Sequence, residues 1–163
     1  MEHKLTRFKL FANYINELYD IEGLPRLSKT EIQNLFNWIY NNPYFKWIDV
    51  RNLCTSSMSN DDVIGFLIIG EEKECHPQAD YYIAETYIMP EYRRRHIMSE
   101  VIMDFIKTYG GKYCLFIASQ NSIAKQFWQK IFQQTNYVQF NLPERTNIEP
   151  NPHFLQYGYM PNS

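Results

Sequence analysis

The stretch YYIAETYIMPEYRRRHIMSEVIMDFIK, residues 81–107, decides the fold of this 163-residue chain. Its first half is aromatic and β-branched enough for a strand, which Pro90 ends. Its second half has apolar residues at helical spacing: Ile97, Val101, Ile102, Phe105 and Ile106. Three consecutive arginines, residues 93–95, lie between the halves. A strand that leads into a helix through a cationic turn directs backbone N–H groups and the positive end of the helix dipole at one point, and that arrangement can hold phosphates.

Residues 85–90 (ETYIMP) and 93–98 (RRRHIM) resemble the central motif of the GCN5-related N-acetyltransferases. In that family a strand of the form E-L-Y-V-x-P leads into R/Q-x-x-G-x-G/A and a helix. The strand half of this chain agrees with the motif. The turn half carries His96 and Met98 at the two glycine positions, where the family lets a pyrophosphate approach bare backbone.

A second segment, NSIAKQFWQKIF at residues 121–132, is similar to the family's later helix, N-x-x-A-x-x-F-Y-x-K-x-G-F. Four residues agree with that pattern: Asn121, Ala124, Phe127 and Lys130. Trp128 stands where the family usually has tyrosine, and Ile131 replaces the glycine before Phe132. The two segments occur in the family's order, and the resemblance covers about the second half of the chain.

The composition favours one folded domain, residues 1–163, with 45% hydrophobic and 17% aromatic residues. A net charge of −2 gives no electrostatic attraction to nucleic acid or to an anionic membrane. Cys54, Cys75 and Cys114 lack C-x-x-C spacing, so we expect reduced thiols in a cytoplasmic protein. We expect no membrane span and no signal peptide, and the scattered histidines predict no metal site.

Periodicity and turn signals predict the other elements. One helix is expected at residues 5–19, and a second begins at a capping box of Ser28 and Glu31 and ends before Pro43. Strands are expected at 45–54, 63–70, 81–89, 112–118, 137–140 and 154–159, with a further helix at 122–134. The fold class is thus α/β (α+β), with a mixed, mostly antiparallel sheet of about six to seven strands, a central parallel pair and helices on both faces, as in the family.

The resemblance implies a role for each motif residue. Glu85 would be the general base, which takes the proton of an amine through water. Backbone N–H groups near Ile88 and Met89 would bind the pantetheine arm of acetyl-CoA and polarise its thioester carbonyl, and the arginine turn would hold the pyrophosphate. The residues expected to contact acetyl-CoA are Tyr87, Ile88, Met89, Arg93, Arg94, Arg95, His96, Ile97, Met98, Ser99, Asn121 and Trp128.

Each of these residues also has a plainer interpretation. The arginines could form a solvated turn, Glu85 could be half of a surface ion pair, and Asn121 could be only a helix N-cap. To hold phosphate without glycine, His96 and Met98 must keep their N–H groups directed at the pyrophosphate, which right-handed helical backbone geometry allows. Because an indole has no O–H, Trp128 cannot protonate the leaving thiolate, which leaves water or a tyrosine such as Tyr137.

These inferences predict an N-acetyltransferase that moves an acetyl group from acetyl-CoA to a primary amine by direct transfer. Two alternatives stay open: a catalytically weak domain that binds acyl-CoA as a sensor, and an interaction module on the same fold. The expected partner is a small-molecule or peptide amine as acceptor, with no nucleic acid and no membrane; a homodimer is left open. The acidic loop at residues 71–80 would suit a cationic acceptor such as a polyamine or aminoglycoside, although a solvated loop explains it better.

Overall fold

A computed structural model describes residues 1–52, 62–71, 78–142 and 154–163 of the chain. Two helices come first and are followed by three strands, and a short 3-10 turn at Pro90–Tyr92 follows the third strand. The elements are α1 (Glu2–Glu22), α2 (Lys29–Asn41), β1 (Phe45–Arg51), β2 (Val63–Glu71), β3 (Tyr81–Ile88), α3 (Ile97–Tyr109), β4 (Tyr113–Ala118), α4 (Ser122–Gln134), β5 (Tyr137–Phe140) and β6 (Phe154–Pro161).

The six strands form one mixed sheet in the order β1-β2-β3-β4-β6-β5. β3 and β4 are a parallel pair, with Tyr81 opposite Tyr113 and Ile83 opposite Leu115. β6 is antiparallel to both β4 and β5. The predicted fold class, a mostly antiparallel mixed sheet with a central parallel pair, is therefore confirmed.

Local sequence signals set several element ends where they were predicted. The capping box of α2 is present, because the Glu31 N–H donates to Ser28 Oγ at 3.3 Å and the Ser28 N–H donates to Glu31 Oε2 at 2.7 Å. α4 and β5 have the predicted bounds, whereas α1 extends beyond the predicted 5–19 at both ends. Gly110 and Gly111 follow α3 with φ of 60° and 82°, backbone that favours glycine.

The chain divides into two compact units, the first made of Met1–Ile68 and Glu85–Ile97 and the second of Ile69–Ala84 and Met98–Ser163. The first unit has an aromatic core in which Phe11, Phe36 and Phe66 are fully buried. Their ring centroids lie 5.7 Å apart for Phe11 and Phe36 and 6.2 Å apart for Phe11 and Phe66. This packing joins α1, α2 and β2, and it fixes α1 within the unit that also contains the second half of β3.

The second unit has its own core around Tyr113 and Phe132, which are both fully buried. Phe132 stacks on Tyr159 of β6 at a centroid distance of 4.0 Å, and Tyr113 lies 5.8 Å from Phe132. Cys114, in the same strand as Tyr113, is fully buried. The other two cysteines and most of the acidic loop at residues 71–80 lie outside the described residues.

None of the helices in the described ranges combines the length and the apolar character that crossing a bilayer requires. The same residues contain no group of three His, Cys, Asp or Glu side chains placed to hold a metal ion. The expectation that the whole chain is one domain stays a prediction.

Candidate functional site

Glu85 lies in the second half of β3, and its carboxyl group is partly buried. The hydroxyl of Tyr14, on α1, donates a short hydrogen bond to its Oε2 atom. Burial raises the pKa of Glu85 from 4.5 to about 7, while the hydrogen bond from Tyr14 stabilises the charged form and opposes that rise. A carboxyl group with a pKa near 7 can accept a proton at neutral pH and give it up again, so Glu85 has the property that a general base needs.

The side chains around the Tyr14–Glu85 pair are aromatic. The Tyr14 ring packs edge-on against Phe66 of β2 at 5.7 Å and lies 6.0 Å from the ring of Tyr87 on β3. Phe66 and Tyr87 in turn lie 5.8 Å apart. These rings pack around Tyr14, the hydrogen-bond partner of Glu85, and burial of the Glu85 carboxyl group disfavours its charged form.

The two ends of β3 bond to different neighbours. At its start, the Asp80 and Tyr81 N–H groups both donate to the Lys112 carbonyl beside β4, at 2.8 and 3.0 Å. Just past its end, the Met89 N–H donates to the Ile64 carbonyl of β2 at 2.9 Å.

Gly65 of β2 lies very close to the backbone at the end of β3. A Cβ atom on Gly65 would overlap the carbonyl oxygen of Tyr87 and lie 3.0 Å from the Cα atom of Ile88. Because only glycine lacks that atom, the sequence of β2 permits the close approach of the β3 backbone.

The hydrogen bond of Met89 bears on which backbone N–H groups at the end of β3 are available. Successive N–H groups of a strand alternate in direction, so we expect the Ile88 N–H to point away from β2, to which the Met89 N–H is bonded. The pairing of β3 with β4 runs from Tyr81 to Ile83. The thioester contacts expected near Ile88 and Met89 stay predictions, and the Met89 N–H already has a partner.

Arg93 follows the 3-10 turn, and its guanidinium forms hydrogen bonds within the first unit. Its two terminal nitrogens donate to the Oε1 and Oε2 atoms of Glu17 on α1, at 2.6 and 2.7 Å, and its Nε donates to the carbonyl oxygen of Ile88 at 2.9 Å. The same guanidinium lies 5.6 Å from the centre of the Tyr87 ring. Its backbone N–H donates to Pro90. The predicted phosphate contact of the arginines therefore depends on Arg94, Arg95 and the backbone of the turn.

The turn before α3 adopts left-handed backbone geometry at two residues. Arg94 has φ of 62° and His96 has φ of 60°, and the side chains of both are exposed. His96 does not have the right-handed geometry that the sequence left possible, and instead takes a left-handed conformation, which glycine adopts more easily than a residue with a side chain. Because Arg95, between them, has no positive φ, φ alternates in sign along the turn, as it does in backbone nests that bind anions.

The other turn residues lie at the start of α3. Ile97 is the first residue of that helix, Met98 is 7% exposed, and Ser99 is partly buried. The Arg95 side chain is exposed and lies 5.6 Å from the ring centre of Tyr92. Met98 therefore packs as a core residue on the side of α3 that also buries Ile102, and only its backbone N–H remains for the predicted phosphate contact.

Asn121 and Trp128 belong to the second unit. The Asn121 Oδ1 atom accepts from the Ala124 N–H at 3.0 Å, so Asn121 is the N-cap of α4, as its plainer interpretation predicted. Trp128 is 5% exposed and lies 6.2 Å from the buried ring of Phe132. Tyr137, the suggested proton donor, is 9% exposed, and burial raises the pKa of its hydroxyl. A contact of Asn121 or Trp128 with acetyl-CoA stays a prediction.

Sequence reasoning missed Tyr14 and Glu17, the two α1 residues that contact β3 and the turn. Helical periodicity could have placed Tyr14 and Glu17 side by side, because residues three apart lie on the same face of a helix. Phe11 and Ile15 are buried apolar residues of α1, and helical periodicity by itself assigns no function to the polar side chains beside them. Nothing in the local sequence indicates that Tyr14 would face Glu85, 71 positions later.

Comparison with known proteins gives the same fold. Solved structures that resemble this chain include an acetyltransferase from Thermus thermophilus, with a TM-score of 0.65 and 11% identity over 95% of this chain and 88% of that one. A spermidine N-acetyltransferase chimera from Vibrio cholerae SpeG and hSSAT has a TM-score of 0.57 and 18% identity over 94% and 88%. Tetrahymena GCN5 has a TM-score of 0.56 and 12% identity over 96% and 88%.

No curated protein sequence matches the chain. A family model does: residues 13–132 match the acetyltransferase (GNAT) family. That range contains β3, the arginine turn and α4 up to Phe132, so it includes both segments that carry the resemblance, and acetyl transfer is the general activity of the family. The chain belongs to the acetyltransferase (GNAT) family.

Proposed function

We propose that this protein is an N-acetyltransferase that moves an acetyl group from acetyl-CoA to a primary amine by direct transfer, with no covalent enzyme intermediate. The observation that carries the proposal is the Glu85 carboxyl group, whose pKa of about 7 suits it to remove a proton from an ammonium group. The amine must lose that proton because only its neutral form is a nucleophile.

The reaction assigns one task to each group. Glu85 takes a proton from the ammonium group by way of water, and the freed nitrogen lone pair forms a bond to the thioester carbonyl carbon. The Ile88 N–H, on the side of β3 away from β2, donates to the carbonyl oxygen as negative charge develops there. The carbon–sulfur bond then breaks, the nitrogen loses its second proton as the amide forms, and water passes that proton to the thiolate of CoA.

The arginine turn supports binding of acetyl-CoA. Alternating φ signs at residues 94–96 suit the backbone to an anion, and the exposed side chains of Arg94 and Arg95 add positive charge. The compartment we propose is the cytoplasm, where cysteines that lack C-x-x-C spacing would stay reduced.

The proposal is tested by incubating the protein with acetyl-CoA and a panel of amines and measuring the release of free CoA thiol. The panel should contain polyamines, aminoglycosides, lysine peptides and peptides with free N-termini, since the acceptor is a small molecule or a peptide. Glu85→Gln should lower amine-dependent release by about 10- to 10⁴-fold. Glu2→Gln, which changes an exposed carboxyl group at the start of α1, is the matched control and should leave release unchanged.

The same assay distinguishes the alternatives. Calorimetric binding of acetyl-CoA without release of CoA in the presence of any amine would identify an acyl-CoA-binding domain. Neither binding nor release would leave an interaction module on this fold. Full activity in Glu85→Gln would remove Glu85 from the mechanism.

A further inference from the structure

The Tyr14 hydroxyl donates a hydrogen bond to the Glu85 carboxyl group. The Tyr14 ring is held on several sides by other aromatic rings, at 6.1 Å from Phe11, 5.7 Å from Phe66 and 6.0 Å from Tyr87. Because a packed ring cannot change rotamer freely, the Tyr14 hydroxyl has a fixed position relative to Glu85.

A second contact holds α1 to the same segment. Glu17, three residues after Tyr14 on α1, forms a two-bond ion pair with Arg93, whose Nε also donates to the Ile88 carbonyl. Two residues on one face of α1 therefore make contacts with this segment. Tyr14 bonds to Glu85, and Glu17 bonds to Arg93. A helix fixed at two points can hold a hydroxyl group in place with little loss of conformational entropy when the hydrogen bond forms.

We propose that Tyr14 is a positioning residue for the general base: its hydroxyl occupies Oε2 of Glu85 and leaves Oε1 as the oxygen that accepts the proton of the amine. This inference rests on the proposed function, because it assigns Glu85 the role of base. The step is a single proton transfer, in which the ammonium group loses a proton, water relays it, and Oε1 of Glu85 gains it. Tyr14 keeps its own proton throughout.

Tyr14 also sets how readily Glu85 ionises. A hydroxyl that donates to a carboxylate stabilises the charged form, and here it opposes the larger effect of burial on the Glu85 pKa. Other ionisable groups near this segment are Tyr87, Glu17, Arg93 and Glu91, and the charges of Glu17 and Arg93 largely offset each other because the two form an ion pair. Without the Tyr14 hydroxyl, burial acts unopposed and the pKa of Glu85 rises above about 7.

The experiment compares the natural protein with Tyr14→Phe, which removes only the hydroxyl oxygen. Tyr19→Phe is the matched control, because it removes the same group from a partly buried position five residues further along the same helix. The Glu85 carboxyl carbon is titrated directly by NMR in protein with ¹³C-labelled glutamate, and its signal is assigned by its loss in Glu85→Gln. The pH dependence of kcat/KM is measured for the same variants with acetyl-CoA and the best amine of the panel.

Tyr14→Phe should raise the Glu85 titration midpoint and move the acid limb of kcat/KM to higher pH. At pH 6.5 its kcat/KM should fall by about 10-fold, whereas at pH 9, where Glu85 is ionised in both proteins, the difference should shrink to about 3-fold or less. In the Glu85→Gln background, Tyr14→Phe should have little further effect, because the two residues act as a unit. Replacing Tyr14 by 3,5-difluorotyrosine, a stronger donor, should lower the midpoint.

An unchanged Glu85 midpoint in both Tyr14 variants would overturn the inference, as would a kcat/KM profile for Tyr14→Phe that matches that of Tyr19→Phe. The titration needs no turnover, so it decides the contact between Tyr14 and Glu85 even if no amine is acetylated. Full activity of Glu85→Gln would instead refute the proposed role of Glu85.

Discussion

Glu85 should lower the stability of the folded protein at the pH where it is proposed to work, and Glu85→Gln should restore it. The pKa of this carboxyl group is raised from 4.5 to about 7 by burial, so the folded state holds its proton more tightly than the unfolded chain does. The stabilisation from that proton is fully present below about pH 4.5 and is lost as the pH rises through about 7. The difference between the two pKa values corresponds to about 3 kcal/mol.

A glutamine at position 85 resembles the protonated acid at every pH, and its carbonyl oxygen can still accept from Tyr14. Glu85→Gln should therefore be more stable than the natural protein by about 2–3 kcal/mol at pH 8.5, and the gain should vanish near pH 4.5. Urea unfolding followed by tryptophan fluorescence measures both free energies across this range. For a chain of this length the gain at pH 8.5 corresponds to a rise in Tm of roughly 5–10 °C.

The pH dependence is the informative part of this measurement. Glu2→Gln serves as control, because an exposed carboxyl group should give a difference from the natural protein that changes little with pH. Equal stability of Glu85→Gln and the natural protein at pH 8.5, or a constant difference from pH 4.5 to 8.5, would refute the argument that burial raises the Glu85 pKa.

Three further substitutions test the backbone and the core. Gly65→Ala should lower the free energy of unfolding by about 1–3 kcal/mol in urea titrations, because its methyl group would overlap the Tyr87 carbonyl oxygen. His96→Gly should raise the free energy of unfolding by about 1 kcal/mol, because φ is 60° at this position and glycine adopts that angle without cost. His96→Ala should not raise it, because alanine keeps the Cβ atom. Trp128→Phe should lower stability by about 1–2 kcal/mol but leave turnover within about 10-fold of the natural protein, whereas a loss of more than about 100-fold with intact folding would give the indole a direct role.

Local patterns predicted the elements well, because the signals that set them lie within a few residues. The apolar run of β2 from Val63 to Gly70 is buried throughout, the Ser28 capping box starts α2, and Asn121 caps α4. Each depends on a hydrogen bond or an apolar pattern that the sequence itself contains.

The site was predicted only in part, because it depends on contacts between distant residues. The motif identified Glu85 and Ile88, but not the α1 residues near them: Tyr14 is 71 positions from Glu85, and Glu17 is 76 positions from Arg93. No local pattern indicated that the Arg93 guanidinium would bond to Glu17 of α1. The hydrogen bond from the Met89 N–H to the Ile64 carbonyl was also not predictable, since it joins residues on different strands.

The missing glycine at position 96 of the turn is a weaker objection to acetyl-CoA binding than the sequence suggests. A glycine at position 96 would supply two properties: a positive φ, and a backbone without a Cβ atom. His96 has the first property, since its φ is 60°, although the conformation costs about 1–2 kcal/mol for a residue with a side chain. A costly backbone conformation persists only where its surroundings determine it, and here Arg93 is bonded on one side of the turn while α3 begins on the other. Only the bulk of an exposed side chain remains against phosphate binding, and if that bulk matters, His96→Gly should bind acetyl-CoA more tightly than the natural protein does.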